Sequence, residues 1–255
     1  MRCYADTLGN CAGGRSAEHY ISRSVLELVG TVVRVSGFPW QPKGAQQDIG
    51  IGSLAANILC RRHNQQLSSL DDKGMAFVRA LKNIYDAALA GPELSDGSTT
   101  IDGDGLERWL LKILCGVLTV GKSHAIPTLW LDILFRDKAF PEHHGLHVFG
   151  KAGEASWMFN LLRVISVPDK LGRVAGAKFG IAGIPILLAF GKPDFEDPEF
   201  SSYLRPDAIE ISKGSVARRI EFVWRADKGG GTVTLQLGGP IDPEGQFPLP
   251  MVRPD

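Results

Sequence analysis

The chain has 255 residues, 44% of them hydrophobic, with 30 glycines, 15 prolines and a formal net charge of zero at pH 7. That content supports one large or two small domains, argues against a helical bundle, and excludes a protein that holds nucleic acid by overall basic charge. The charge is uneven: residues 1–90 carry ten Lys/Arg against seven Asp/Glu and the remainder 18 against 21, so attraction to phosphate is local to the first third. The opening MRCYADTLGN is polar, and the longest apolar runs, LLKILCGVLTV and GIAGIPILLAFG, are short or broken by Lys. A soluble, cytoplasmic protein with no membrane span is therefore expected.

In chain order, SVLELVGTVVRVSGF (24–38) reads as a short helix followed by a strand, and FPWQPKGAQQDIGIGS (38–53) as a loop. From Asn64, apolar residues at Leu67, Leu70, Met75, Phe77, Val78, Leu81, Ile84, Tyr85 and Ala88 recur at three- and four-residue spacing. This predicts a helix, with Gly74 dividing or kinking it. LAGPELSDGSTTIDGDG (89–105) reads as a linker and sets the expected boundary between a domain at 1–90 and one at 91–255. DGLERWLLKILCGVLTVGK is a second helix, with Asp104 as its expected N-cap and Glu107 completing a capping box. TLWLDILFRD is a third. Beyond about 145 the pattern turns to strands separated by Gly, Pro and Asp clusters, and the tail DPEGQFPLPMVRPD reads as extended or disordered. The fold class expected is α+β.

Four cysteines in such a protein are more readily thiols or metal ligands than a disulfide framework, and three fall in the first sixty residues. Cys60 and His63, with two residues between them at the start of a helix, can place a sulfur and an imidazole on one ion. Cys3 and Cys11 can supply the other half, giving the three-sulfur, one-nitrogen set that suits structural zinc. The competing reading is that Cys3 and Cys11 are incidental thiols and Cys60 a buried apolar residue.

With EH (Glu18, His19) upstream of CRRHN (Cys60, His63, Asn64), residues 1 to about 75 resemble the HNH endonuclease family, the zinc-stapled ββα-metal nucleases. The resemblance implies an N-terminal ββα-metal module, then a helical linker segment and a β-rich C-terminal domain. It implies hydrolysis of DNA phosphodiester bonds with His19 as general base. Glu18 and Asn64 would hold a catalytic divalent cation, Mg²⁺ or similar, beside the structural Zn²⁺. The family's middle asparagine falls on Ala55 here, and Asn57 is the available amide. Arg61 and Arg62 are candidate phosphate clamps, because a guanidinium fork matches phosphate geometry.

Other signals carry less. EHHGLH (142–147) reads as a loop, DGDGLE lacks the closing glutamate of a calcium loop, the glycines of GRVAGAKFGIAG are spaced as in strands, and Cys115 reads as a core thiol. The expectation is thus an HNH-type nuclease, of the kind found in bacterial defence or mobile elements, acting on DNA. Its C-terminal half would recognise a partner, a nucleic-acid feature, a small signal or a second copy. The alternative is a catalytically silent zinc-stapled scaffold that binds nucleic acid or protein.

Overall fold

The computed structural model describes residues 2–90, 97–122, 125–150, 154–155, 161–194, 201–213, 216–225, 230–237 and 251–253. Among them it is a mixed α+β structure. The elements run β1 (Arg15–His19), α1 (Arg23–Val29), β2 (Val32–Ser36), β3 (Gln46–Gly50), β4 (Ala55–Cys60), α2 (Arg61–Ala90), β5 (Ser98–Asp102), α3 (Gly103–Gly121) and α4 (Thr128–Phe135). There follow β6 (Gly145–Gly150), β7 (Glu154–Ala155), β8 (Leu161–Pro168), β9 (Val174–Ile181), β10 (Ile184–Ala189), β11 (Lys192–Asp194) and β12 (Ser201–Leu204). The last are β13 (Ala208–Lys213), β14 (Val216–Val223), β15 (Thr232–Leu237) and β16 (Met251–Arg253). Among the described residues no helix is long and apolar enough to cross a membrane.

β1 and β4 pair antiparallel, and α2 starts on the residue after β4, which makes a ββα unit with no intervening loop. The segment between the two strands does not stay in that unit. Its strands β2 and β3 form an antiparallel pair that extends a seven-stranded sheet of order β12-β6-β10-β9-β8-β2-β3, with β2 parallel to β8. A five-stranded sheet, β5-β14-β13-β15-β7, lies elsewhere in the chain, and β11 pairs with β16. One continuous buried cluster includes Cys3, Leu26, Val35, Leu67, Trp109, Phe179 and Leu235, so residues on both sides of the 89–105 segment share a core.

Several local expectations are corrected. Strand β3 lies inside the stretch read as loop, and β5 inside the stretch read as linker. Both are polar strands, QQDIG and STTID, held by pairing to β2 and β14 rather than by their own apolar content. Residues 91–96 of that linker, and 242–250 and 254–255 of the tail, lie outside the described residues, while 251–253 of the tail pair with β11. The N-cap of α3 is Asp102, whose Oδ1 accepts from the Gly105 N–H at 2.9 Å; Glu107 does not close a capping box but is buried against Arg205 at 2.8 Å and the Leu146 N–H at 2.7 Å.

Gly74 does not divide α2, which is helical over all 30 residues from Arg61 to Ala90. A Cβ at Gly74 would fall inside the indole of Trp109 on α3, so the glycine lets two helices approach. Gly74→Ala is therefore expected to destabilise the protein by about 1–3 kcal/mol through overpacking, although alanine is the better helix former. A urea melt with an unchanged midpoint would contradict this.

Candidate metal centre

Backbone hydrogen bonds and turns bring the N-terminal segment onto the start of α2. The Tyr4 N–H donates to the Ile58 carbonyl at 3.0 Å, which lays Cys3 beside β4. The chain then makes a single 3₁₀ turn at Asp6–Leu8 and reverses at Gly9. The first N–H groups of a helix have no partners within it. Here those of Arg61 and Arg62 donate to the carbonyls of Gly14 at 2.9 Å and Ala12 at 3.3 Å, so the loop after Cys11 caps the helix. Gly13, at φ +78°, permits the reversal, and a Cβ there would press on Arg61.

The result is one cluster. The ligand atoms of Cys3, Cys11, Cys60 and His63 all lie within 4.8 Å of one another, forming a group able to hold a metal ion such as zinc. His63 Nδ1 is 3.3 Å from Cys3 Sγ, 3.3 Å from Cys60 Sγ and 3.7 Å from Cys11 Sγ. Bonds of about 2.3 Å to sulfur and about 2.0 Å to nitrogen in a tetrahedron put ligand atoms roughly 3.5–3.8 Å apart, so the set fits zinc. Cys3, Cys60 and His63 are buried and Cys11 is exposed. The backbone N–H of His63 donates to Cys60 Sγ at 3.5 Å.

The electrostatics suit a cation. Loss of water around its sulfur inside the cluster, together with the Cys3 and Cys60 sulfurs, pushes Cys11 up to about 12, and burial raises Cys3. Burial acts upward on Cys60 too, but the N–H groups of His63 and Ala12 and the neighbouring thiols outweigh it and pull Cys60 down. Burial, aided by Arg62, lowers His63, so its imidazole is neutral at pH 7 and keeps a lone pair for a metal. Three sulfurs crowded around one nitrogen resist becoming anionic together until a cation joins them. Metal binding then releases protons, and affinity falls as pH falls.

One member of the centre escaped the motif reading. Asn10 Oδ1 lies 2.6 Å from His63 Nε2, which assigns the proton to Nε2 and turns Nδ1 toward the sulfurs. Nothing but its place beside Cys11 signals this residue in the sequence. Asn10→Ala is expected to weaken zinc binding by about 10- to 100-fold, read by competition with a chromophoric chelator. Unchanged affinity would remove Asn10 from the centre. Phe135 of α4 packs on the His63 ring at 4.9 Å, so the centre is also anchored to the helical layer.

A second cluster lies along the same ββα unit. Glu18 is buried on β1 with Asn64, one residue past His63, beside its carboxylate, and the Asn64 amide donates to Ser16 Oγ at 2.9 Å. Lys112 of α3 places Nζ 2.6 Å from Glu18 Oε1 and 2.6 Å from Asp71 Oδ1. The Ser22 hydroxyl donates to Asp71 and accepts from Trp109 Nε1 at 2.8 Å. Burial raises Glu18, and the Lys112 charge works against that rise. His19, the next residue on β1, is half-buried; burial and then Arg23 lower it, so it too is neutral at pH 7. Between Ser16 and Glu18 the pairing slips, with Asn57 and Ile58 of β4 opposite Ala17 alone. Bulges of this kind re-aim side chains beside functional sites.

The structure thus joins Cys3, Cys11, Cys60 and His63 in one group and Glu18 to Asn64 in another. It leaves Asn57 exposed at the bulge and Arg61 and Arg62 exposed on the first turn of α2. Lys112, Asp71 and Ser22 were missed, though a lone lysine inside LLKILCGVL was a visible signal.

No protein-family profile, curated protein or solved structure matches this chain.

Proposed function

We propose that residues 1 to about 75 form an HNH-like zinc-stapled module that hydrolyses DNA phosphodiester bonds. The observation that carries this reading is the corner between β4 and α2. The residues that close the metal set, Cys60 and His63, flank the turn that delivers Asn64 onto Glu18 of β1, one residue before His19.

In this reading Glu18 and Asn64 would supply a carboxylate and an amide oxygen to a hard divalent cation, in place of the contacts Glu18 makes with Lys112 and Asn64 with Ser16. When bound, such a cation would stabilise the negative charge that grows on the phosphate as the bond breaks. His19, neutral at pH 7, takes the proton of the attacking water. Arg61 and Arg62, exposed where the N-terminus of α2 adds its own positive end, meet the phosphodiester. The β-rich remainder supplies recognition of DNA, a protein partner or a second copy. Its five-stranded sheet carries a depression of about 410 Å³ lined by Ser98, Glu210, Arg218 and Arg219 among others.

A second reading, a catalytically silent scaffold that binds nucleic acid or protein, draws on the Lys112 ammonium against Glu18, which already neutralises that carboxylate. Nicking of supercoiled plasmid with and without Mg²⁺ separates the two. Mg²⁺-dependent nicking by the wild type supports the nuclease. DNA retardation without nicking at any Mg²⁺ concentration favours the scaffold.

A further inference from the structure

We infer that Cys11 is an oxidative modification site built into the metal set: hydrogen peroxide attacks its sulfur, Cys3 resolves the product as a disulfide, and the ion is released. This goes beyond the nuclease reading and stands on the metal set alone.

The four cysteines are unequal in access. Cys11 is exposed, whereas Cys3, Cys60 and Cys115 are only 8%, 5% and 0% exposed. Oxidation of a cysteine follows thiolate character and exposure. A metal holds each sulfur it binds as a thiolate, so the three sulfurs of the set share the first property and Cys11 alone among them has the second. Two further sulfurs are in reach, since those of Cys3 and Cys60 lie within 4.8 Å of it. Cys60 is the fixed one of the pair. It ends β4 on the residue before α2, and its Sγ accepts from the His63 N–H at 3.5 Å. Cys3 shares with Cys11 the stretch before β1, where the regular structure is the 3₁₀ turn Asp6–Leu8 and Gly9 reverses the chain at φ +74°. A disulfide draws its sulfurs to about 2.05 Å. That movement falls on the N-terminal stretch, not on the corner between β4 and α2, which selects Cys3 as the resolving thiol.

The steps balance with hydrogen peroxide as the oxidant. The Cys11 thiolate attacks one peroxide oxygen, the O–O bond breaks, and the departing hydroxide takes up a proton as water, leaving a sulfenic acid on Cys11. The Cys3 sulfur then attacks the Cys11 sulfur. An S–S bond forms, the S–O bond breaks, and a second hydroxide leaves and takes up a proton. Two thiolates, one peroxide and two protons become one disulfide and two waters. Cys60 and His63 remain, and two ligands do not make up a closed tetrahedral set. Loss of the ion unties the N-terminal stretch from α2. The N–H groups of Arg61 and Arg62 then lose the loop after Cys11, whose Gly14 and Ala12 carbonyls cap the helix. Peroxide thereby loosens the corner that carries Asn64.

The test treats the zinc-loaded full-length chain with hydrogen peroxide, reads zinc release with a chromophoric chelator, and maps thiols by mass spectrometry of tryptic peptides. One ion per chain is expected to leave, with two hydrogens lost inside the peptide of residues 3–15, which holds both Cys3 and Cys11. Cys60 and Cys115 should stay free thiols, and dithiothreitol with added zinc should restore the loaded state. Cys11→His keeps a set of two sulfurs and two nitrogens, so it should bind zinc and release it under peroxide more slowly by roughly tenfold or more. Should Cys11→His bind no zinc, the peptide map of the wild type decides the matter. Zinc retained under peroxide overturns the inference. So does a disulfide joining peptide 3–15 to the Cys60 peptide of residues 44–61, or release from Cys11→His at the wild-type rate. A wild type that takes up no zinc overturns it together with the metal set.

Discussion

Replacing Cys60 with alanine is expected to abolish stoichiometric zinc binding and to unfold the first twenty residues together with the start of α2. Cys60 is the joint of the ββα unit: it ends β4, precedes α2, faces Arg15 across the strand pair and contributes one of the three sulfurs around His63 Nδ1. Residues 2–14 contain one short 3₁₀ turn, and Cys3, Tyr4, Ala5 and Leu8 are their contribution to the buried cluster or its edge. Burial on that scale yields only a few kcal/mol at about 25 cal/mol per Å². Zinc, at about 10–16 kcal/mol in small metal-dependent peptides, outweighs it. The larger core around α3 and the seven-stranded sheet does not depend on the ion. The measurement is amide exchange with and without chelator, paired with elemental analysis. Protection should vanish at Tyr4 and at Arg61 and Arg62, whose N–H groups donate across the joint, and persist at Leu110 to Leu118. The wild-type melting temperature should rise with free zinc, as ligand linkage requires. A Cys60→Ala protein with native protection at Tyr4 and Arg61 would show that the cluster is not a staple.

On the nuclease reading proposed above, His19→Ala is expected to lower plasmid nicking by about 10²- to 10⁴-fold, the range for removing a general base, while leaving zinc content and fold intact. The side chain is half-buried at the end of β1, outside the buried cluster, so truncation opens no core cavity. The sign of the pH dependence follows from the shift. Burial and the Arg23 charge disfavour the imidazolium, which places the folded His19 below the ordinary histidine value of 6.5. The base form therefore predominates at pH 7, and the rate should be flat above neutrality and fall on the acid side of 6.5. The same shift means that the unfolded chain takes up a proton first as pH drops. His19 thus costs nothing in stability above 6.5 and destabilises the fold progressively below it. Arg23→Gln removes the larger of the two cationic causes, Lys112 being the other, and should move the acid limb of the rate to higher pH. Nicking that survives His19→Ala, or an acid limb insensitive to Arg23, would remove His19 from the mechanism.

The metal set was legible because cysteine and histidine are scarce and chemically specific. Cys3, Cys11, Cys60 and His63 needed only a sense of which atoms bind zinc, and the helix after Cys60 announced itself through Leu67, Phe77 and Leu81. Strands β3 and β5 were not legible. Their residues carry no apolar alternation, and their conformation is imposed by neighbours on β2 and β14. Gly74 misled for a related reason. A glycine inside a helical pattern ordinarily signals weakness, whereas this one makes room for Trp109, 35 positions away.

The sequence by itself determined that residues 2–63 hold a complete set of soft ligands, that an acidic residue and a histidine stand together upstream of Asn64, and that the second half is strand-rich. These are properties of residue type and short-range spacing. Only the tertiary structure decided that the span between β1 and β4 leaves to extend the seven-stranded sheet, and that both halves share one core. It also decided that Glu18 meets Asn64 under a lysine from α3. A buried carboxylate must find its counter-charge wherever packing brings one within reach, and no local pattern in the chain records which cation that is.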